Sequence, residues 1–186
     1  MTNLIDRYCG TWRGAVRLGL SYLEVAGQAA SVRRPAPDKV NRLVFVCHGN
    51  ICRSAFADAV ARKHGLRAAS FGLSTASGNA ANPMIMDLAR PMGIMLDDHR
   101  TTAVEDFAAQ PGDFLLAMET RQLRRLAARD GLSGLPRALL GSYASPPMPH
   151  LHDPYELNPA YQAVCLRRIE NAVIWLAAAF PSARLS

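Results

Sequence analysis

The sequence predicts an α/β protein, a parallel sheet with helices on both faces, preceded by a helical extension. Three observations carry this. The short apolar runs Arg42–Val46 (RLVFV) and Asp113–Met118 (DFLLAM) have the length and unbroken hydrophobicity of strands buried on both sides. Helical patterns alternate with such runs along the chain, as parallel strands joined by crossover helices require. The 186 residues are 49% hydrophobic, enough for one domain with a substantial core.

Residues 1–40 form a region apart from the domain of residues 41–186. Leu4, Tyr8, Trp12, Val16, Leu20 and Leu23 recur at helical spacing, with Arg13, Arg17, Ser21, Glu24 and Gln28 on another face. Gly10, Gly14 and Gly19 weaken that helix. Ser31–Asp38, holding Pro35 and Pro37, reads as a linker. The apolar face has three readings: docking on the domain, self-association, or contact with a membrane surface. Arg7, Arg13 and Arg17, offset by Asp6 and Glu24, make its polar face weakly cationic.

Within the domain, Arg42–Val46 is the first strand and Ser54–His64 a helix stopped by Gly65. Ala68–Phe71 is a second strand. Pro83 starts a helix toward Met92 that Pro91 ends early. Asp113–Met118 is a further strand, followed by a helix over Glu119–Arg129. Ser133–Pro159, rich in proline, reads as turns. A last helix from Pro159 to Phe180 carries Tyr161, Cys165, Ile169, Val173, Leu176 and Phe180 on one stripe.

Composition narrows the function classes little. Basic residues number 21 against 15 acidic, a formal net charge of +6, which suits anionic partners. No block of like charges marks a nucleic-acid surface, so no nucleic-acid partner is expected. Cys9, Cys47, Cys52 and Cys165 are irregularly spaced in a chain too long to need a disulfide framework. No cysteine–histidine pattern of metal-binding type is present, and no metal or other cofactor is expected. The N-terminus lacks a signal-peptide pattern and no apolar run reaches spanning length, so a cytoplasmic location is expected.

The chemistry concentrates in Val46-Cys47-His48-Gly49-Asn50-Ile51-Cys52-Arg53-Ser54. This run leaves a buried strand and opens a helix, where open α/β folds place ligands. A strand-to-helix turn gathers backbone N–H groups into a concavity, and the helix terminus adds positive potential. Gly49 and Asn50 accept the left-handed conformations that such a nest needs. Arg53 supplies a planar fork for two phosphoryl oxygens. A cysteine at the head of this loop has its thiolate favoured by the same field. Taken alone, Cys47 could be a small buried residue of the core. In combination, the parts define attack on phosphorus by the Cys47 thiolate, with Arg53 and the loop amides holding the charge of the transferred group.

Val46–Ser54 resembles the signature V-C-x-G-N-x-C-R-S-P of the low-molecular-weight protein tyrosine phosphatases, and a looser likeness extends from about Arg42 to Phe180. The resemblance implies a doubly wound, four-stranded parallel sheet. It implies that Asp153, in His152-Asp153-Pro154-Tyr155, is the general acid that later activates water. It implies that Ser54 hydrogen-bonds the nucleophile, that Ser70 and His99 support Asn50, and that Tyr155 walls the cleft. His48, Gly49, Asn50, Ile51, Cys52 and Ser54 would line the bound phosphate. Cys52 is a packing residue, a trap for an oxidised Cys47, or both. Asp-Pro is also a common turn pair.

The chain departs from the family pattern at Ala55, where the signature has proline, and at Asn82-Pro83, where Asp-Pro is usual. The stretch Ser74–Ala81 lacks an aromatic wall, and the N-terminal extension lies outside the pattern. The expected substrate is a phosphorylated protein, phosphotyrosine first, or a small phosphate ester. Two other functions fit the loop in part. A thiol-dependent arsenate reductase on the same fold needs further cysteines, and Ser74–Thr102 has none. A phosphocarrier or phosphate-binding module lacks the loop arginine.

Overall fold

The computed structural model describes residues 4–185. Four parallel strands form the sheet: β1 (Arg42–Cys47), β2 (Ala68–Gly72), β3 (Asp113–Ala117) and β4 (Arg137–Leu139), in the order β2-β1-β3-β4. Phe45 of β1 pairs with Ser70 on one side and Leu116 on the other. The guanidinium of Arg42 grips the Asp113 carboxylate with two bonds of 2.7 Å, clamping the starts of the two central strands.

Alternation along the strands builds two cores. Leu43, Phe45, Phe114 and Leu116 face one side, where they pack with Phe56, Ile169 and Val173. Val44, Val46, Leu115 and Ala117 face the other, with Leu123 and Leu126. The first layer is made by α3 (Arg53–Lys63) and α6 (Pro159–Ala179), which pack on each other, with α4 (Pro83–Ala89) beside them; α5 (Thr120–Ala127) covers the second face. Both faces of every central strand are buried, so the strands carry no polar alternation. The stripe Tyr161, Cys165, Ile169, Val173, Leu176 and Phe180 is buried throughout.

The departures have local causes. The helix begun by Pro83 ends at Ala89 and tightens into a 3₁₀ turn over Arg90–Met92, where Pro91 cannot donate. Asn82 caps its start, accepting from the N–H groups of Met84 (3.1 Å) and Ile85 (3.3 Å), so Asn serves as well as Asp there. Glu119, expected inside a helix, is extended and precedes α5. The proline-rich stretch Ser133–Pro159 contains β4, three residues too short to show a period.

The N-terminal region is two helices rather than one, α1 (Leu4–Cys9) and α2 (Trp12–Ala26). Gly10 separates them at φ 77°, and a Cβ there would stand 2.8 Å from Leu157 and 2.9 Å from Tyr161. Only glycine allows both that backbone conformation and that approach. Thr11 caps α2 by accepting from Gly14 N at 3.0 Å.

The side of α2 that meets the domain is its small-residue side: Gly14 and Ser21 are buried, while Trp12, Val16, Leu20 and Leu23 are exposed. After α2, Ala30 enters the second core, and Arg33 exchanges backbone hydrogen bonds with Arg137 of β4 (2.8 and 2.7 Å). The segment expected as a linker thus pairs with the outer strand of the sheet and shields it.

Candidate active site

The turn that follows β1 leaves the sheet where the strand order reverses, β1 connecting outward to β2 and the chain later returning to the other side as β3. Cys47 ends β1 and Arg53 begins α3. The Cys47 Sγ lies 2.9 Å from Ser54 Oγ and accepts from Asn50 N at 3.2 Å. These two contacts fix the position of the sulfur at the head of the loop.

Asn50 holds the loop's shape. Its φ is 54°, in the left-handed region, and it is fully buried. Its Nδ2 donates to Ser54 Oγ (2.9 Å) and Ser70 Oγ (3.0 Å), its Oδ1 accepts from Thr102 N (2.9 Å), and its carbonyl oxygen is 2.7 Å from His99 Nε2. Ser70 in turn donates to Asp58 Oδ2 at 3.1 Å. A left-handed residue held by contacts at both amide atoms and at its carbonyl fixes the shape of the turn. Burial lowers the His99 pKa, although the Asn50 carbonyl opposes the shift.

Gly72 lets the next strand close on the loop. A Cβ there would stand 3.0 Å from the His48 carbonyl oxygen and 3.1 Å from Asn50 Cβ. The backbone N–H of Leu73 reaches Cys47 O and that of Ser74 reaches His48 O. His48 is exposed, Gly49 and Ile51 are half-buried, and Cys52 is buried. Burial raises the Cys52 thiol's pKa strongly, with the negative charges of Asp153 and Cys47 adding to it.

Arg53 is 1% exposed and its guanidinium is held from three sides. Nη1 donates to Glu119 Oε1 (2.8 Å) and the Leu151 carbonyl (2.9 Å), and Nη2 lies 2.7 Å from Asp153 Oδ2. Its buried Nε has no hydrogen-bond partner. Burial disfavours the cation, but Asp153, Cys47 and Glu119 outweigh that and raise its pKa. For Glu119, burial pushes upward, and the charge and hydrogen bond of Arg53 overcome it and hold the carboxyl at about 2. Glu119 Oε2 also accepts from Arg121 at 2.9 Å.

Sequence reasoning missed Glu119. The signal available was an acidic residue just past the carboxyl end of β3, the strand beside β1, on the edge where the loop lies. His150 was also outside the expected set. It is buried, its Nε2 has no partner, and burial holds its pKa down to about 4.

Asp153 is partly open to solvent, its side chain 41% exposed, and its Oδ1 accepts from Tyr155 N at 3.3 Å. The Asp-Pro turn therefore exists, and the other carboxylate oxygen meets Arg53. Tyr155 is exposed. The loop is held from two sides: Thr11 Oγ1, at the start of α2, is 3.1 Å from His152 Nε2, and the His152 carbonyl accepts from the Tyr161 hydroxyl of α6 at 2.9 Å. Ser54 thus meets Cys47 and Asn50, Ser70 and His99 meet Asn50, and Asp153 meets Arg53. Among the described residues, no group of three or more His, Cys, Asp or Glu side chains could hold a metal ion.

Fold and site define an α/β protein with a cysteine-led strand-to-helix loop at the switch point of its sheet. The family model for low molecular weight phosphotyrosine protein phosphatase matches residues 42–184, and the chain belongs to that family. A probable low molecular weight protein-tyrosine-phosphatase EpsP of Ralstonia solanacearum is 32% identical over 92 residues, 48% of this chain and 63% of the relative. The protein-tyrosine-phosphatase Wzb of Escherichia coli K12 is 31% identical over 88 residues, 46% of this chain and 60% of the relative. The match thus spans less than two thirds of these relatives' length.

Among solved structures, Erwinia amylovora tyrosine phosphatase amsI superposes with a TM-score of 0.66 at 24% identity, covering 76% of this chain and 93% of that one. The YwlE arginine phosphatase of Geobacillus stearothermophilus gives 0.64 at 23%, covering 74% and 91%. These likenesses establish the fold.

Proposed function

We propose that the chain hydrolyses phosphate monoesters, protein phosphotyrosine first among them, through a cysteinyl-phosphate intermediate. The observation that carries this reading is the pairing of a thiol, Cys47, with a buried guanidinium, Arg53, whose Nε has no partner while its other nitrogens are fixed. That arrangement leaves a donor for a phosphoryl oxygen in a site that costs little to reorganise.

In the first step the Cys47 thiolate attacks phosphorus and the bond to the leaving oxygen breaks. Arg53 and the loop amides take up charge on the equatorial oxygens. Asp153 gives its proton to the leaving oxygen. In the second step water attacks phosphorus, Asp153 accepts a proton from it, the S–P bond breaks and inorganic phosphate departs. Ser54 and Asn50 stabilise the thiolate as nucleophile and again as leaving group; Ser70 and His99 act through Asn50. Glu119 orients Arg53 and is a positioning residue. Tyr155 offers one aromatic surface beside the acid.

A single turnover at excess enzyme tests the reading. Release of the aryl alcohol should precede release of phosphate, with the amount of the first phase equal to the substrate supplied. Release of both products together, with no lag, would contradict an intermediate.

The arsenate reductase reading gains no support from the cysteine positions. Cys165 is buried on α6, its Sγ 3.9 Å from the His152 carbonyl oxygen, and Cys9 lies on α1, so neither is on the stretch Ser74–Thr102 where that chemistry needs a cysteine. Arg53 opposes the phosphocarrier reading. We propose a cytoplasmic location, on the irregular spacing of the four cysteines in the sequence.

A further inference from the structure

The outward face of α2 is apolar. Trp12, Val16, Leu20 and Leu23 fall within about 80° of the helix circumference, and they are 68%, 44%, 53% and 70% exposed. Leu4 and Tyr8 of α1 are exposed as well. A surface helix ordinarily turns such a stripe inward. Here the inward side is taken by Gly14 and Ser21, and the Thr11–His152 and Glu24–Arg124 contacts fix the helix in that orientation.

Basic residues outnumber acidic ones around the stripe, with Asp6 of α1 standing among them. Arg13 and Arg17 follow it along one edge of α2, and the acid on that edge, Glu24, is engaged by Arg124 at 2.7 Å. Between α1 and α6 lies a groove of about 540 Å³ whose walls include Arg7, Arg167 and Arg168 and no acidic residue. Tyr8 belongs both to the groove and to the exposed apolar side of α1, and its carbonyl oxygen accepts from Arg168 at 2.6 Å.

We infer that this face lies on an anionic lipid bilayer, with the stripe of α2 at the boundary of headgroups and acyl chains and lipid phosphates at the three-arginine groove. Apolar side chains with amphipathic rings and an arginine border are what an interfacial helix needs, and the net charge of +6 adds attraction to an anionic surface. A second copy of the chain fits less well. The 15 residues of α2 extend only about 22 Å, and a single helix-on-helix contact of that length buries less than the roughly 1,200 Å² of a stable interface. The helix that would meet lipid is the one tied to His152, next to Asp153, so docking also fixes how the cleft stands above the bilayer.

The full chain, carrying Trp175→Phe so that emission reports Trp12, should be titrated with vesicles of phosphatidylcholine alone and with phosphatidylglycerol added. The inference predicts co-sedimentation and a blue shift only with the anionic vesicles, weakened by about 0.5 M salt. Leu20→Glu should lower partitioning at least about tenfold, and Arg7→Glu several-fold. Turnover of a small aryl phosphate in solution should stay unchanged in both, showing that they fold. Absence of binding to anionic vesicles would overturn the inference, and so would equal binding by Leu20→Glu. A dimer at micromolar concentration that Leu20→Glu dissociates, with no vesicle binding, would assign the face to a second copy instead.

Discussion

Arg53 Nη2 and Asp153 Oδ2 stand 2.7 Å apart across the boundary between core and cleft. The arginine is buried and fixed, while the carboxylate is substantially exposed. One end of the pair is therefore fixed in the core and the other is open to solvent. The first prediction follows from this difference.

Asp153→Asn keeps size and hydrogen bonding but has no proton to give. Phosphotyrosine, a poor leaving group, should lose about 10²-fold or more in the phosphorylation step, and a strongly activated aryl phosphate clearly less. The alkaline limb of the pH–rate profile for that step should flatten. Single-turnover rates for both substrates across pH check this; an equal loss for both would return Asp153-Pro154 to the status of an ordinary turn.

Arg53→Lys should cost about 10²-fold or more in kcat/KM, because an ammonium cannot hold Glu119, the Leu151 carbonyl and Asp153 while offering a planar donor to phosphate. Inhibition by inorganic phosphate should weaken in parallel. Steady-state kinetics within about threefold of wild type would contradict the role given to the fork.

Stability should fall in two stages as pH is lowered. His150 has its folded pKa below its unfolded one, 6.5 lowered to about 4, so the unfolded chain binds the proton first and stability drops between those values. Glu119, lowered from 4.5 to about 2, stabilises the fold above its unfolded pKa, and that contribution drains as pH falls toward 2. Melting temperatures should show His150→Phe flattening the upper stage and Glu119→Gln the lower. Unchanged slopes in both variants would contradict these assignments.

Two glycines of α2 should respond in opposite directions to alanine. At Gly19 an added Cβ meets nothing within 4 Å, so Gly19→Ala should stabilise by about 0.5–1 kcal/mol through helix propensity. At Gly14 it would stand 2.1 Å from the Cys9 carbonyl oxygen and 3.0 Å from the His152 ring. Overpacking costs about 1–3 kcal/mol, more than the gain in propensity, so Gly14→Ala should lower the melting temperature. Equal effects at both positions would contradict the packing of α2 against α1 and His152.

The parts of the molecule legible in the sequence are those where one local pattern has one meaning. The β1 run, the Cys47–Ser54 loop and the α6 stripe each show it: continuous hydrophobicity, a loop of conformationally special residues, a 3.6 period. Resemblance added Ser70 and His99, which spacing alone could not place because their partner, Asn50, is 20 and 49 residues away. Three features stayed hidden. Strand β4 is too short for a period. Glu119 is marked only by which strand lies beside β1. The orientation of α2 runs against its own apolar pattern, since Gly14 and Ser21 permit an approach that Trp12 and Leu23 do not.

The central claim is a covalent bond between Cys47 and phosphorus, and trapping it is the most direct test. Asp153→Ala should be mixed with an activated aryl phosphate, quenched in acid within the first turnover, digested and analysed by mass spectrometry. The account predicts one added phosphoryl group on the peptide holding Cys47, decaying as phosphate is released, and no such peptide in Cys47→Ala; Cys47→Ser should not turn over. Phosphate release that proceeds at full rate with Cys47 unmodified, or appreciable hydrolysis by Cys47→Ser, would contradict it.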